Sequence, residues 1–160
     1  MSIRLGMQVG LSESDLTDLE LLAELHDLGK VAIPENILEK EGELTTDERE
    51  ELNKHSEIGY QIAKSSLGIN NIAEYILYHH ESWDGTGYPH NLKGEEIPYL
   101  SRIISVVNEF DKMTNYHPHM KSVSKEEAIE MLKAKACIKF DPNIVDVFIN
   151  KVLFYEEEII

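Results

Sequence analysis

The chain has 160 residues, 42% of them apolar and 28% charged, the balance of one soluble domain with a real core and not of a disordered tail. Thirty acidic residues against fifteen basic ones leave a net charge of −15, a surface that repels phosphate backbones and so excludes nucleic acid polymers as partners. No apolar run approaches the roughly 20 residues of a membrane span, and Met1-Ser2-Ile3-Arg4 is no signal peptide, which predicts a cytoplasmic protein without membrane insertion.

In chain order, Ile3, Leu5, Met7, Val9 and Leu11 alternate as a strand would, but no partner strand follows, so the segment reads as the end of a helix. Ser12-Glu13-Ser14-Asp15 offers a cap and early acids for a helix continuing to about Leu28, with Leu19, Leu22, Ala23 and His26 as its buried stripe. Gly29 stops it, and Pro34 starts a short turn through Leu38. Thr45 and Glu48 form a capping box that opens a second long helix, with Leu52, His55, Gly59 and Ile62 facing inward.

A third helix near Asn71 carries Ile72, Ile76, His79 and His80 on one face, and the segment from Glu81 to Pro89 is too rich in glycine to remain helical. After Pro98 a fourth helix places Leu100, Ile104, Val107, Asn108 and Asp111 inward. Ser124 with Glu127 caps a helix bearing Ala128, Leu132 and Ala136, and the last helix starts near Asp141-Pro142. The single cysteine, Cys137, excludes internal disulfides, and Ala134, Ala136 and Ile138 beside it predict a packed, inert thiol. The fold class is all-α, a single bundle of about six or seven helices. The acidic stretches from Glu39 to Glu51 and Glu156 to Glu158 read as solvated faces.

A lone histidine on an apolar face is most often a satisfied core residue. Here His26, His55, His79 and His80 fall on the inner stripes of three helices, joined by Asp27, Asn108 and Asp111. Burying so many polar groups uncompensated costs several kcal/mol each, of the order expected for unpaired polar burial. A metal ion gives them partners at once, because neutral imidazoles and a carboxylate suit iron, manganese and zinc. His26 and Asp27 point about 100° apart on a helix, which suits neighbouring metals better than one. They also lie near a helix C-terminus, where the dipole favours a cation.

His26-Asp27-Leu28-Gly29-Lys30 resembles the signature of HD-domain phosphohydrolases. His79-His80-Glu81-Ser82-Trp83-Asp84-Gly85-Thr86-Gly87-Tyr88-Pro89 resembles the longer motif of the HD-GYP subfamily. The likeness extends through Ile33-Pro34, Lys40, Gly42, Leu44-Thr45, His55 and Ile97-Pro98 to Arg102-Ile103-Ile104, nearly the whole chain. It implies a helical domain that binds two or three metals, iron or manganese, and hydrolyses cyclic di-GMP to a linear dinucleotide or GMP. It also implies His26 at a first metal, His55, His79 and His80 at a second, and Asp27 bridging them, with Lys30 neutralising a phosphate oxygen or assisting the leaving group. Two cations bridged by a carboxylate suit in-line hydrolysis of a phosphodiester, because both stabilise the phosphoryl charge. Gly85 and Gly87 would allow a tight turn close to a ligand, and Asp84, Tyr88 and Pro89 would hold the loop or face GGDEF-domain or other signalling proteins.

Three departures bear on the chemistry. The family's histidine in the preceding helix would lie upstream of Met1, so the chain is expected to lack that helix or to be cut from a longer signalling protein. Asn108 stands where a metal-binding Asp is usual, in Val106-Val107-Asn108-Glu109-Phe110-Asp111-Lys112-Met113, and His117-Pro118-His119-Met120 replaces an R-P-Y-[RK]-like phosphate grip. The expectation is one well-formed metal site and one weakened neighbour. The competing reading is a degenerate regulatory domain that binds nucleotide or partners without turnover. A hemerythrin-like iron or oxygen binder is a third, and it leaves Lys30 and the Asp84–Pro89 loop unexplained.

Overall fold

Caps written in the sequence set where the helices begin. In a computed structural model describing residues 1–115 and 122–154, the Ser12 hydroxyl accepts from the Asp15 N–H, and Thr45 with Glu48 and Ser124 with Glu127 form complete capping boxes. The Asp141 carboxylate accepts from the Asn143 N–H, with Pro142 at the first helical position. The resulting helices are α1 (Ser2–Gln8), α2 (Glu13–Leu25), α3 (Glu35–Leu38), α4 (Thr46–Asn53), α5 (His55–Lys64), α6 (Ala73–Tyr78), α7 (Tyr99–Thr114), α8 (Lys125–Lys135) and α9 (Pro142–Val147). A π-helical segment, Phe148–Leu153, prolongs α9, and 3-10 turns span Leu28–Ala32, Asn70–Ile72 and Gly94–Glu96. No strand forms among the described residues, so the domain is all-α, and the alternation at the N-terminus resolves as helix α1 with Leu5 fully buried. No helix among them is long and apolar enough to cross a membrane. The His117–Met120 segment and the Glu156–Glu158 run lie outside the described residues.

Helix α7 is the hub. It buries Leu100, Ser101, Ile103, Ile104, Val106, Val107, Phe110 and Met113, and α1, α2, α6, α8 and α9 all pack against it. Leu19, Leu22, Ile76, Leu132, Ile144 and Phe148 complete this core with almost no exposure, each such side chain stabilising the fold by about 1.5–3 kcal/mol. To one side, α5 packs on α6 and on the 28–32 turn. A Cβ on Gly29 would stand 1.9 Å from the His55 carbonyl oxygen and 2.6 Å from the Gly59 nitrogen, so only glycine lets this turn reach α5.

Three expectations need correction. The long helix predicted from Thr45 is broken at Lys54, whose N–H reaches back only to the Glu51 carbonyl. The Leu52 carbonyl, which also takes a backbone N–H at the end of α4, accepts from His55 Nδ1, and the Asn53 carbonyl accepts from the Ser56 hydroxyl, so side chains compete for the carbonyls of this turn. This break, with short α1 and α3 as separate elements, gives nine α-helices among the described residues. Helix α2 ends at Leu25, not Leu28, because the chain tightens into the 3-10 turn. Cys137 is exposed, not packed: α8 ends at Lys135, and Cys137 turns the chain with φ of 66° while Ile138 faces solvent.

Candidate metal centre

Helix endings, rather than helix faces, aim the histidines. His26 caps the C-terminus of α2, His79 caps that of α6, and His55 follows the end of α4. In each, ring Nδ1 faces the carbonyl three residues back: Ala23 at 3.1 Å, Leu52 at 2.7 Å and Ile76 at 2.6 Å. A carbonyl only accepts, so Nδ1 carries the proton and Nε2 is left with a free lone pair. Adjacent in sequence, His79 and His80 were expected on one helical face; the structure places both past the end of α6.

Asp27 sits where these rings converge. Its Oδ1 lies 3.4 Å from His55 Nε2 and 3.9 Å from His79 Nε2. Its Oδ2 lies 2.6 Å from Lys30 Nζ and 3.6 Å from His26 Nε2. His80 Nε2 approaches His55 Nε2 at 3.1 Å, so the two rings meet through these nitrogens. Asp27, His55, His79 and His80 each offer one ligand atom, all within 4.8 Å of one another. His26 is not in that group; its ring stands edge-on to His79 with centroids 5.3 Å apart.

Protonation states suit a cation. Burial pushes the His79 imidazole down to about 3, and burial reinforced by its neighbours His79 and His55 pushes His80 well below its ordinary 6.5. Burial lowers His55 as well, so these three rings are neutral at pH 7, the form that ligates metals. For Asp27 burial works upward, but His26, Lys30 and His79 outweigh it and hold the carboxyl at about 2. Two atoms of the group, Asp27 Oδ1 and His79 Nε2, are buried without a hydrogen-bond partner. Such orphans cost about 1–3 kcal/mol each, and a divalent cation among them would satisfy both. The donor set fits one.

Around this centre the 81–97 loop is tightly built. Glu81, 3% exposed, accepts from the His90 N–H through Oε1 at 2.7 Å and from the Leu92 N–H through Oε2 at 3.1 Å. Asp84 Oδ1 accepts from the Thr86 N–H and hydroxyl, and the Gly85 N–H donates to the Ser82 carbonyl. A Cβ on Gly87 would lie 2.2 Å from the Ser82 nitrogen, so the close approach expected there is to the loop's own backbone. Tyr88, followed by Pro89, stacks on His80 with centroids 4.9 Å apart, and burial raises its phenol so that it stays protonated. The Trp83 and Asp84 N–H groups donate to the Lys139 and Ile138 carbonyls, docking the loop on the turn after α8. On α7, Asn108 is half-buried, and the Asp111 carboxylate accepts from Asn115 at 2.8 Å, apart from the four-residue group.

Sequence reasoning quotes Glu81, Glu109 and Arg102 within motifs but gives them no role. Glu109 accepts from Lys135 at 2.6 Å and Lys139 at 2.7 Å, and Arg102 pairs with buried Asp141 at 2.8 Å. An acid inside the His79–Pro89 motif was the available signal for Glu81. For Glu109 and Arg102 nothing in spacing marks partners 26 to 39 residues away.

A helical domain that gathers a carboxylate and buried imidazoles at its helix ends is a metal-ligating fold of one recognisable class. Residues 1–144 match the HD domain family, and the chain belongs to it. It is 40% identical over 145 residues to the cyclic di-GMP phosphodiesterase response regulator RpfG of Xanthomonas campestris pv. campestris (strain 8004), a match covering 89% of this chain and 38% of that protein. It is 38% identical over 152 residues to a cyclic di-GMP phosphodiesterase of Thermotoga maritima, covering 94% of this chain and 41% of the relative. The chain thus spans about two fifths of the length of these curated relatives. Among solved structures, a cyclic GMP-AMP specific phosphodiesterase from V. cholerae superposes with a TM-score of 0.74 at 26% identity, covering 97% of this chain and 43% of that one.

Proposed function

We propose that residues 1–160 form the HD-GYP-like catalytic domain of a longer signalling protein and hydrolyse cyclic di-GMP to a linear dinucleotide or GMP. The observation that carries this reading is the Asp27–His55–His79–His80 group with its two orphaned atoms. A divalent ion bound there, iron or manganese, supplies Lewis acidity toward a phosphoryl oxygen and toward water. The chain's own residues do the rest. The Ala23, Leu52 and Ile76 carbonyls fix the ring orientation of His26, His55 and His79, as outer hydrogen bonds do for metal-ligating imidazoles. Lys30 keeps Asp27 ionised and offers a cation to a phosphate oxygen or a proton to the departing sugar oxygen. Tyr88 covers one face of His80, and Glu81 holds the loop that carries it.

His26, on the Oδ2 side of Asp27, would serve a second, weaker cation, with Asn108 of α7 as the further ligand that the family likeness assigns to it. Lys30 already neutralises that oxygen, and Asn108 brings no charge, which supports one good site and one poor one. The same two features favour the second reading, a regulatory domain that binds the nucleotide without turnover. GGDEF-domain or other signalling partners at the Asp84–Pro89 loop and a cytoplasmic setting belong to both readings and rest on the family likeness.

The deciding experiment incubates iron- or manganese-loaded protein with cyclic di-GMP and, separately, 3′3′-cGAMP, and follows products by chromatography. The phosphodiesterase reading expects linear dinucleotide or GMP from cyclic di-GMP. Binding without product establishes the regulatory reading instead, and cleavage of 3′3′-cGAMP alone reassigns the substrate.

A further inference from the structure

Most lysines with a resolved contact in this acidic chain sit on a carboxylate. Lys30 pairs with Asp27, Lys40 with Glu48, Lys54 with Glu51, Lys133 with Glu130, and Lys135 and Lys139 with the two oxygens of Glu109. Lys112 is different. It is half-buried on α7, one helical turn after Asn108, and makes no hydrogen bond or ion pair among the described residues. Its charged surroundings are Asp27 and Lys30 from the metal centre, Glu109 on its own helix and Lys139 from the turn after α8. Its charge is felt in turn at His55 and His80. The two carboxylates whose charge bears on it are already engaged, Asp27 Oδ2 by Lys30 and Glu109 by two lysines. Burial also pushes the Lys112 ammonium below its usual range, as expected of a cation partly removed from water without a counter-ion. An anion arriving at the metal centre would provide that counter-ion.

We propose that Lys112 is a substrate-binding residue whose ammonium group takes a phosphate oxygen of the cyclic dinucleotide on the α7 side of the metal centre. The assignment deepens the phosphodiesterase reading and rests on it for the identity of the substrate, but its core is the binding of a phosphate group. A charge-assisted contact of this kind is worth about tenfold or more in affinity. The bland alternative is a lysine that lays its stem on the helix and its head in water.

The test uses the metal-loaded full chain and two probes, inorganic phosphate and cyclic di-GMP, with dissociation constants from calorimetry and metal content from elemental analysis. Lys112→Gln, which keeps the stem, is expected to weaken both probes about tenfold, with metal content and melting temperature unchanged, and Lys112→Arg to recover most of the loss. If cyclic di-GMP fails to bind the parent while phosphate still binds through Lys112, the substrate reading falls and the phosphate assignment stands. A Lys112→Gln protein that binds phosphate within twofold of the parent overturns the assignment, as does a parent that binds no phosphate.

Discussion

The two oxygens of Asp27 face different worlds. On the Oδ1 side lie His55 and His79, each at most 2% exposed, with His80 beside them and orphaned lone pairs between. On the Oδ2 side lie Lys30 at 2.6 Å and His26 at 3.6 Å, and the carboxylate is already neutralised there. One carboxylate thus presents an unsatisfied face that asks for a cation and a satisfied face that already has one. The lesson is that a ligand's residue type says less than which of its atoms still lacks a partner.

The sharpest way to break this comparison is to remove one imidazole from each side. His79→Gln or His55→Gln should weaken metal binding by more than about a hundredfold, beyond the range seen when only an outer-shell partner is lost. His26→Gln should weaken it less than tenfold; equal losses, measured by competition with a chelating dye, would erase the distinction between the two sides.

Next in size is the turn that delivers Asp27. Gly29→Ala places a methyl against the His55 and Gly59 backbone, an overpacking expected to cost about 1–3 kcal/mol and to loosen the Oδ1 side by shifting His55. Chemical denaturation of the metal-free protein reads the first effect, and metal titration the second.

Acid should act on the Oδ1 side first. Folded His55, His79 and His80 have lowered pKa values, so their stabilising contribution is complete above the unfolded 6.5 and is lost as pH falls below it, when only the unfolded chain takes up protons. For His79 alone, with about 3 in the fold, the loss between pH 7 and pH 5 is about 2 kcal/mol. Asp27, also lowered, acts in the same direction, but only below 3.8, outside that window. The melting temperature of metal-free protein should therefore drop from pH 7 to pH 5; a flat profile would mean that the rings are not buried neutral. Smallest is Asn108→Asp, which adds a carboxylate on α7 and should raise bound metal above one per chain at saturation.

Much of the fold was legible because it is written locally. Ser12, Thr45 with Glu48, Ser124 with Glu127 and Asp141-Pro142 start helices where their side chains say they should, and the apolar spacing after Pro98 marks α7 correctly. The break at Lys54 was not legible, because it depends on His55 and Ser56 capturing carbonyls of the preceding turn, a competition that periodicity does not register. Cys137 misled because small neighbours suggest a core, whereas a left-handed turn after α8 lifts it to the surface. At the site, the histidines and Asp27 could be nominated from type and spacing, but not the division between the faces of Asp27. That division comes from Lys30 three residues on, and from carbonyls that set each ring.

The central claim is that one divalent cation belongs to Asp27, His55, His79 and His80. Elemental analysis of protein saturated with manganese or iron and then freed of unbound metal tests it most directly, on the parent beside His79→Gln and His26→Gln. The account predicts one ion per chain in the parent and in His26→Gln, and none in His79→Gln. Two ions per chain in the parent, or a His79→Gln protein that keeps its metal, would contradict it.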